Sequence, residues 1–135
     1  MQQHFRIATG SREQLIDITS QVMSILHESG IDSGTVHVYV RGATAAIMIQ
    51  ENWDESVQTD TINLLKKLAP RGEWLHDRQD GNGDSHLKAG LIGPSETIPI
   101  VEGKLGVSTW QNVFLCEFDG PRDHREIVVT ITNSG

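Results

Sequence analysis

A chain of 135 residues has the size of one domain and can bury a substantial core, so residues 1–135 are expected to form a single compact domain. Apolar residues make up 37% of the chain, and no apolar run reaches the roughly 18 to 20 residues that span a bilayer, so no membrane segment is expected. The net charge of -7 argues against broad electrostatic binding to nucleic acid or anionic lipid. An anionic small molecule would therefore need a local cluster of basic residues.

The N-terminal segment and the cysteine content favour a cytoplasmic location. The first residues, MQQHFRIATGSR, have no apolar core of the secretory type. Cys116 is the only cysteine and cannot form an internal disulfide, which is usual in a reducing compartment. We interpret Cys116 as a small buried apolar side chain.

The N-terminal third predicts a strand followed by a helix. Residues 4–9, HFRIAT, favour a strand, and Ser11 with Gln14 three residues later has the pattern of a helix capping box. Gly30 is the expected C-terminal cap of this helix. The apolar stripe that predicts the helix consists of Leu15, Ile18, Val22, Ile25 and Leu26.

The next segment predicts two strands and a second helix. In GTVHVYVR, residues 34–41, valines alternate with polar and aromatic residues, which is typical of a strand with one face toward the core. Residues 43–50, ATAAIMIQ, continue as another strand. Residues 54–69 carry apolar side chains at helical spacing, and Pro70 ends that helix.

Residues 71–85 are polar and glycine-rich and show no sustained period, so a long loop is predicted there. A short helix is expected through 86–93, and the C-terminal third reads as strands with turns at Glu102-Gly103 and at Asp119-Gly120-Pro121. Together these elements predict the α+β class, with helices on one face of a largely antiparallel sheet.

Two of the six histidines, His76 and His86, bracket the predicted loop. The segment between them supplies Asp77, Asp80, Asn82 and Asp84. Imidazoles and carboxylates on such a loop can converge on a cation, and Gly81 and Gly83 permit a backbone concavity of N–H groups for an anion. The alternative is a solvated loop with one aspartate that caps the following helix.

The blocks GNGDSHLKAGLIGPS, IPIVEGKLGVSTWQ and FLCEFDGPRDHR resemble the YjbQ-like family, some members of which are called secondary thiamine-phosphate synthases. SREQLIDIT and TAAIMIQEN extend the resemblance over essentially the whole chain. The resemblance implies a small α+β domain, commonly a homotrimer, with a pocket in which family histidines gather and hold a metal such as zinc.

Two of the family's histidine positions match here, His76 and His86, and the third departs. The family usually reads His-Thr-Thr-Ala at the start of the second of the two adjacent strands, where this chain has Gly42, Ala43, Thr44 and Ala45. His37 lies five residues before Gly42, and an odd offset along a strand points a side chain to the opposite face. A site of three histidines is therefore not expected, although a divalent metal, zinc or magnesium, could still bind to His76 and His86 with a carboxylate.

The resemblance also suggests roles for other residues, each with a structural alternative. Glu51 and Asp60 flank a helix start, where a carboxylate can simply face the positive helix end. Trp110 can stack on a heterocycle or pack in a core or subunit interface, and Asn82 can bind substrate or form a turn. Arg122, with Arg125, can meet phosphate or face solvent. The expected catalytic residues are His76, His86, Glu51 and Asp60, and the expected substrate-binding residues are Thr44, Asn82, Trp110, Gln111 and Arg122.

Two functions are consistent with these residues. The first is a secondary thiamine-phosphate synthase-like enzyme that acts on a small phosphorylated heterocycle, with the histidines binding metal or moving protons. The second is a non-catalytic trimeric module that binds a ligand or metal and has lost the family activity, as Gly42 in place of histidine would suggest.

Overall fold

The computed structural model describes residues 1–135 and has two antiparallel sheets with three α-helices. The five-stranded sheet has the order β1-β8-β3-β5-β6 and the three-stranded sheet the order β2-β7-β4. The predicted α+β class is confirmed. In chain order the elements are β1 (Gln2–Thr9), β2 (Gln14–Asp17), α1 (Thr19–Ser29), β3 (Gly34–Val40), β4 (Ala45–Glu51), α2 (Ser56–Leu68), a 3₁₀ helix (Leu75–Arg78), α3 (Gly83–Ile92), β5 (Ser95–Val101), β6 (Lys104–Leu105), β7 (Gln111–Glu117) and β8 (Arg122–Asn133).

The three-stranded sheet is buried on both faces, and alternate residues of β4 and β7 serve different cores. Ala45 and Ile47 join the main core, which takes side chains from both sheets and from α1. Ala46 and Cys116 face the other way and pack with Leu65 of α2 and with a residue of α3. Cys116 is fully buried, and burial raises the pKa of its thiol to about 12, so it is an apolar core residue as expected.

The first helix begins later than the sequence predicts. Ser11 is not an N-cap; Gln14 Oε1 instead accepts a hydrogen bond of 2.9 Å from the Gly10 N–H, and the chain continues into β2, which pairs with β7. Leu15 is therefore a strand residue and not part of the helical stripe that the sequence predicts. The Thr19 N–H is bound at 2.9 Å by Oδ1 of Asp17, and α1 ends at Gly30 in the left-handed conformation, as predicted.

The segment predicted as a long loop contains regular structure. Residues 75–78 form the 3₁₀ helix, and α3 begins at Gly83 rather than at His86. Both C-terminal turns lie where they were predicted, with positive φ at Glu102 and Gly103 and a cis peptide bond between Gly120 and Pro121. None of the helices has the length and apolar character that crossing a membrane requires.

Candidate functional site

The fold brings together the two histidines at the ends of the predicted loop. His76 lies in the 3₁₀ helix and His86 in the first turn of α3, and their ring centroids are 4.6 Å apart with the planes at 80°. Nε2 of His76 is buried and has no hydrogen-bond partner, although it lies 3.3 Å from Oδ2 of Asp80. This nitrogen therefore has an unused hydrogen-bonding capacity inside the protein.

The backbone of the loop is held by Asp77, not left open for an anion. Oδ1 of Asp77 accepts a hydrogen bond of 2.7 Å from the Gly83 N–H, and Oδ2 accepts one of 3.0 Å from the Trp74 N–H. These two backbone hydrogen bonds lower the pKa of Asp77. The start of α3 already faces a protein carboxylate, so the structure favours the capped-loop alternative for this stretch.

Gly83 is required by packing. A Cβ at this position would lie 2.7 Å from Cβ of Trp74 and 2.9 Å from Oδ1 of Asp77. Next to it, Nδ2 of Asn82 donates a hydrogen bond of 2.8 Å to Oδ2 of Asp119, while Oδ1 of Asn82 is buried without a partner. Asn82 thus ties the loop to the Asp119 turn and keeps one unused acceptor.

His86 opens onto a cavity of about 500 Å³. Its wall includes Tyr39, Gly42, Ala43 and Gly90, so the position where the family usually has a third histidine faces the same space as His86. We call this space the histidine cavity.

Behind Gly42 lies the guanidinium of Arg125. A Cβ on Gly42 would lie 2.7 Å from Nη1 of Arg125, so this arginine occupies the space that a side chain at position 42 would need. The arginine side chain is 6% exposed and is held by Glu117, with Nε donating to Oε1 at 2.9 Å and Nη2 to Oε2. Nη1 donates to no protein acceptor.

Thr44 also holds Arg125 in place and is itself buried. Its hydroxyl oxygen accepts a hydrogen bond of 2.8 Å from Nη2 of Arg125. Burial opposes ionisation of Glu117 most strongly, but the hydrogen bonds from Arg125, the Asp119 N–H and Thr9 outweigh it, and the pKa of Glu117 is lowered. The pair is thus ionised and rigid, with its free guanidinium edge toward Gly42.

These residues do not fit the zinc site that the family resemblance implies. No group of three or more His, Cys, Asp or Glu side chains is arranged to hold a metal ion. The third position also has the guanidinium of Arg125 beside it, which offers only N–H donors and no lone pair to a metal ion. A protein zinc site needs at least three such ligands, and here His76 and His86 supply two.

The remaining predicted site residues lie elsewhere. Glu51 pairs with Gln111 at one end of β4 and β7, whereas Ala45, beside the histidine cavity, lies at the other end, about 20 Å away for a strand of this length. Trp110 is 57% exposed and meets Trp53 edge to face, with ring centroids 6.5 Å apart. In a single chain, Glu51 and Trp110 therefore cannot touch the same small ligand as the two histidines.

The side chains of two further predicted site residues, Asp60 and Arg122, form no hydrogen bond outside their own helix or turn. Asp60 is an exposed residue of α2 with no hydrogen bond to its side chain. Arg122 donates to the carboxylate and the carbonyl of Asp119 within its own turn, both at 3.0 Å. Neither side chain forms a hydrogen bond or an ion pair with His76 or His86.

The comparisons with known proteins agree with the motifs. A family model described as UPF0047 protein YjbQ-like matches residues 3–134. The chain belongs to the YjbQ-like family. It is 45% identical over 127 residues to a UPF0047 protein of Methanocaldococcus jannaschii, covering 94% of this chain and 91% of the relative. It is 38% identical over 117 residues to the UPF0047 protein YugU of Bacillus subtilis, covering 87% and 89%.

Solved structures of YjbQ-like proteins have the same fold. A YbjQ-like protein of unknown function from Sulfolobus solfataricus superposes with a TM-score of 0.96 at 36% identity, covering 99% of this chain and 97% of that one. A protein of the YjbQ/UPF0047 family from Clostridium acetobutylicum superposes with a TM-score of 0.90 at 39% identity, covering 96% and 98%. The fold and the family are thus shared with these proteins.

In this YjbQ-like chain, sequence reasoning missed an ion-pair network at the base of α3. Asp84 is fully buried and accepts from Lys88 at 2.7 Å and from Arg12 at 3.1 and 3.2 Å. Burial raises the pKa of Asp84, but the hydrogen bonds and charges of Arg12 and Lys88 outweigh it and lower the pKa to about 2. The i, i+4 spacing of Asp84 and Lys88 was the available signal.

Proposed function

We propose that this YjbQ-like chain is a cytoplasmic enzyme of the secondary thiamine-phosphate synthase type, acting on a small phosphorylated heterocycle. The observation that carries the proposal is the contact between His76 and His86 beside a cavity where Gly42 has no side chain in front of Arg125. Paired imidazoles can hold and transfer protons near neutral pH, and an arginine edge attracts phosphate oxygens.

The reaction needs charge stabilisation more than proton abstraction. The thiazole nitrogen forms a bond to the methylene carbon of the pyrimidine diphosphate, and the bond from that carbon to the diphosphate oxygen breaks, so the electron pair leaves with the diphosphate. A protonated His76 or His86 can donate a hydrogen bond to the leaving oxygen, and Nη1 of Arg125 can attract its negative charge. Mg²⁺ supplies further positive charge when it accompanies the diphosphate.

The aromatic group at the other end of β4 enters this proposal through a homotrimer. Trp53 and Trp110 are 71% and 57% exposed, which suits a surface that stacks on a ligand or packs on a neighbouring copy. We propose that Trp110 and Gln111 of one copy approach the histidine cavity of another. Light scattering should give three times the chain mass of 14.9 kDa, and a monomer mass would remove this part of the proposal.

The test is a product assay with pyrimidine diphosphate, thiazole phosphate and Mg²⁺. Wild type should form thiamine phosphate, and the His76→Ala/His86→Ala variant should lose roughly 100-fold or more of the rate, the usual effect of removing a general acid. The matched control is His4→Ala/His124→Ala, because both of those histidines are exposed and lie outside the site. An unchanged rate in the first variant would remove both histidines from the mechanism.

A second candidate is a non-catalytic trimeric module that binds a ligand or a divalent metal without turnover. Gly42 in place of the usual histidine favours it, since the ligand set is short by one. It predicts no product from wild type, together with ligand binding in the histidine cavity; a metal ion should bind only weakly to His76 and His86, because two histidines are one ligand short of a protein zinc site. Titration of wild type with zinc or magnesium, repeated on His76→Ala/His86→Ala and on His4→Ala/His124→Ala, separates this candidate from the enzyme.

A further inference from the structure

A second cavity lies on the other side of α3 and is lined by basic residues. It encloses about 650 Å³, and its wall includes Arg12, Lys66, Arg71 and Lys88 together with Glu13. His86 and Lys88 are two positions apart on α3, about 200° around the helix, and accordingly face different cavities. We call this second space the basic cavity.

The basic cavity concentrates positive charge in an acidic chain. Four of the 11 Lys and Arg residues line it, although the chain as a whole has a net charge of -7. Sequence alone gave no indication of such a cluster, because these four residues come from the turn before β2, from α2, from the segment after it, and from α3. Their convergence is the local basic pocket that an anionic small molecule needs.

The charges at the floor of the cavity are balanced, whereas those at its rim are not. Nζ of Lys88, whose side chain is 1% exposed, donates to Asp84 at 2.7 Å and to Glu13 at 3.1 Å. Arg12 also pairs with Asp84. Lys66 and Arg71 are exposed and form no ion pair or hydrogen bond through their side chains, so the rim has two uncompensated positive charges.

Glu13 contributes an acceptor that no protein group satisfies. Its Oε1 receives Lys88 at 3.1 Å and Arg12 at 3.4 Å, while its Oε2 is buried and has no hydrogen-bond partner. An unpaired buried carboxylate oxygen is costly, so a donor is expected to reach it in some functional state. A phosphate group that carries a proton is both an anion for Lys66 and Arg71 and a donor for Glu13.

We propose that the basic cavity binds the phosphate or diphosphate group of a small molecule, with Lys66 and Arg71 at the rim, Lys88 and Arg12 at the floor, and Glu13 accepting the proton of the phosphate. This site is separate from the histidine cavity and does not depend on the proposed enzymatic activity. A fully ionised sulfate has no proton to donate, so the site should bind phosphate more tightly than sulfate.

Calorimetric titration of the full chain with inorganic pyrophosphate tests the proposal without turnover. Wild type should bind, and Lys66→Gln/Arg71→Gln should weaken binding by roughly tenfold or more, because two charge-assisted hydrogen bonds are lost. The matched control, Lys67→Gln/Arg78→Gln, removes the same net charge from positions outside the cavity wall. It should bind pyrophosphate as wild type does.

The same titration on His76→Ala/His86→Ala separates this site from the proposed function. Pyrophosphate binding that persists in that variant and disappears in Lys66→Gln/Arg71→Gln supports the basic cavity, whatever the product assay gives. Three results would overturn the proposal: no binding by wild type, no weakening in the rim variant, or equal weakening in the control, which would indicate general surface charge.

The role of Glu13 has its own test with inorganic phosphate and sulfate. Wild type should prefer phosphate, and Glu13→Gln should reduce or abolish the preference, because the amide nitrogen can donate to an unprotonated oxygen. Equal affinities of wild type for the two ions would contradict the assigned role of Glu13.

Discussion

Among single residues, the packing of the Arg125 guanidinium against Gly42 limits the candidate site most. Arg125 is fixed by Glu117 and Thr44, so it cannot easily withdraw from a side chain at position 42. The substitution of glycine for the usual family histidine therefore does more than remove an imidazole. Because glycine has no Cβ, Nη1 of Arg125 can occupy the space beside position 42.

Gly42→Ala should consequently lower the free energy of unfolding by about 1 to 3 kcal/mol, the usual cost of overpacking a fixed interior. The control is Gly90→Ala, since Gly90 lines the same cavity but a Cβ there meets nothing within 4 Å. Gly90 lies in the last turn of α3, where the change to alanine should stabilise the protein by up to about 1 kcal/mol. Urea unfolding measures both, and effects of the same sign and size would contradict the Arg125 contact.

Asp84 gives a second prediction at this scale, for stability against pH. Its pKa is lowered to about 2 in the folded chain, so its pairing with Lys88 and Arg12 stabilises the fold above the unfolded pKa near 3.9 and is lost as pH falls toward 2. Wild type should be more stable than Asp84→Asn by about 2 kcal/mol or more at neutral pH. This difference should shrink between about pH 4 and pH 2.

Urea unfolding at a series of pH values checks the Asp84 prediction. Asp123→Asn is the control, because Asp123 is exposed and makes no side-chain hydrogen bond or ion pair. A difference between wild type and Asp84→Asn that stays constant down to pH 2 would show that the carboxylate charge is not what stabilises this network.

At the scale of elements, the sequence predicted most helices and strands but misplaced two starts. The valine alternation of β3 and the apolar stripe of α2 were sufficient to predict these two elements, because each pattern lies within a short stretch of sequence. The Ser11 and Gln14 pair was misleading because the Gln14 side chain instead closes a turn with the Gly10 N–H. Pairing with β7, about 100 residues away, makes the next segment β2. The 3₁₀ helix at 75–78 was missed because four residues show no period.

The junction between the 3₁₀ helix and α3 depends on Asp77, which yields a prediction for this element. Asp77→Ala removes the acceptor of two backbone N–H groups and should destabilise the fold by about 1 to 2 kcal/mol. The Gly83 amide should also exchange its hydrogen faster. Asp80→Ala is the control on the same segment, because Asp80 is exposed, accepts no backbone N–H and only approaches His76 at 3.3 Å. Unchanged exchange at Gly83 would show that Asp77 is not the cap.

At the scale of the whole molecule, the family resemblance predicted the fold and a pocket in which histidines gather, and the structure places the rings of His76 and His86 in contact. The Glu117 and Arg125 pair behind Gly42 and the four basic residues around one cavity could not be predicted. Gly42 lies in the turn after β3 and Arg125 in β8, and Arg12 and Asp84 are 72 residues apart, so only the packing of the folded chain brings them together. The sequence could identify the imidazoles but not the charges that surround them.

In the proposed function, His76 and His86 form a working site without a third histidine. The most direct measurement compares thiamine phosphate formation by wild type and Gly42→His, each with Mg²⁺ and with or without a zinc-selective chelator. Wild type should keep its activity in the chelator, and Gly42→His should be slower, since its Cβ displaces Arg125. The claim is contradicted if wild type loses activity in the chelator and regains it with zinc, or if Gly42→His is faster than wild type.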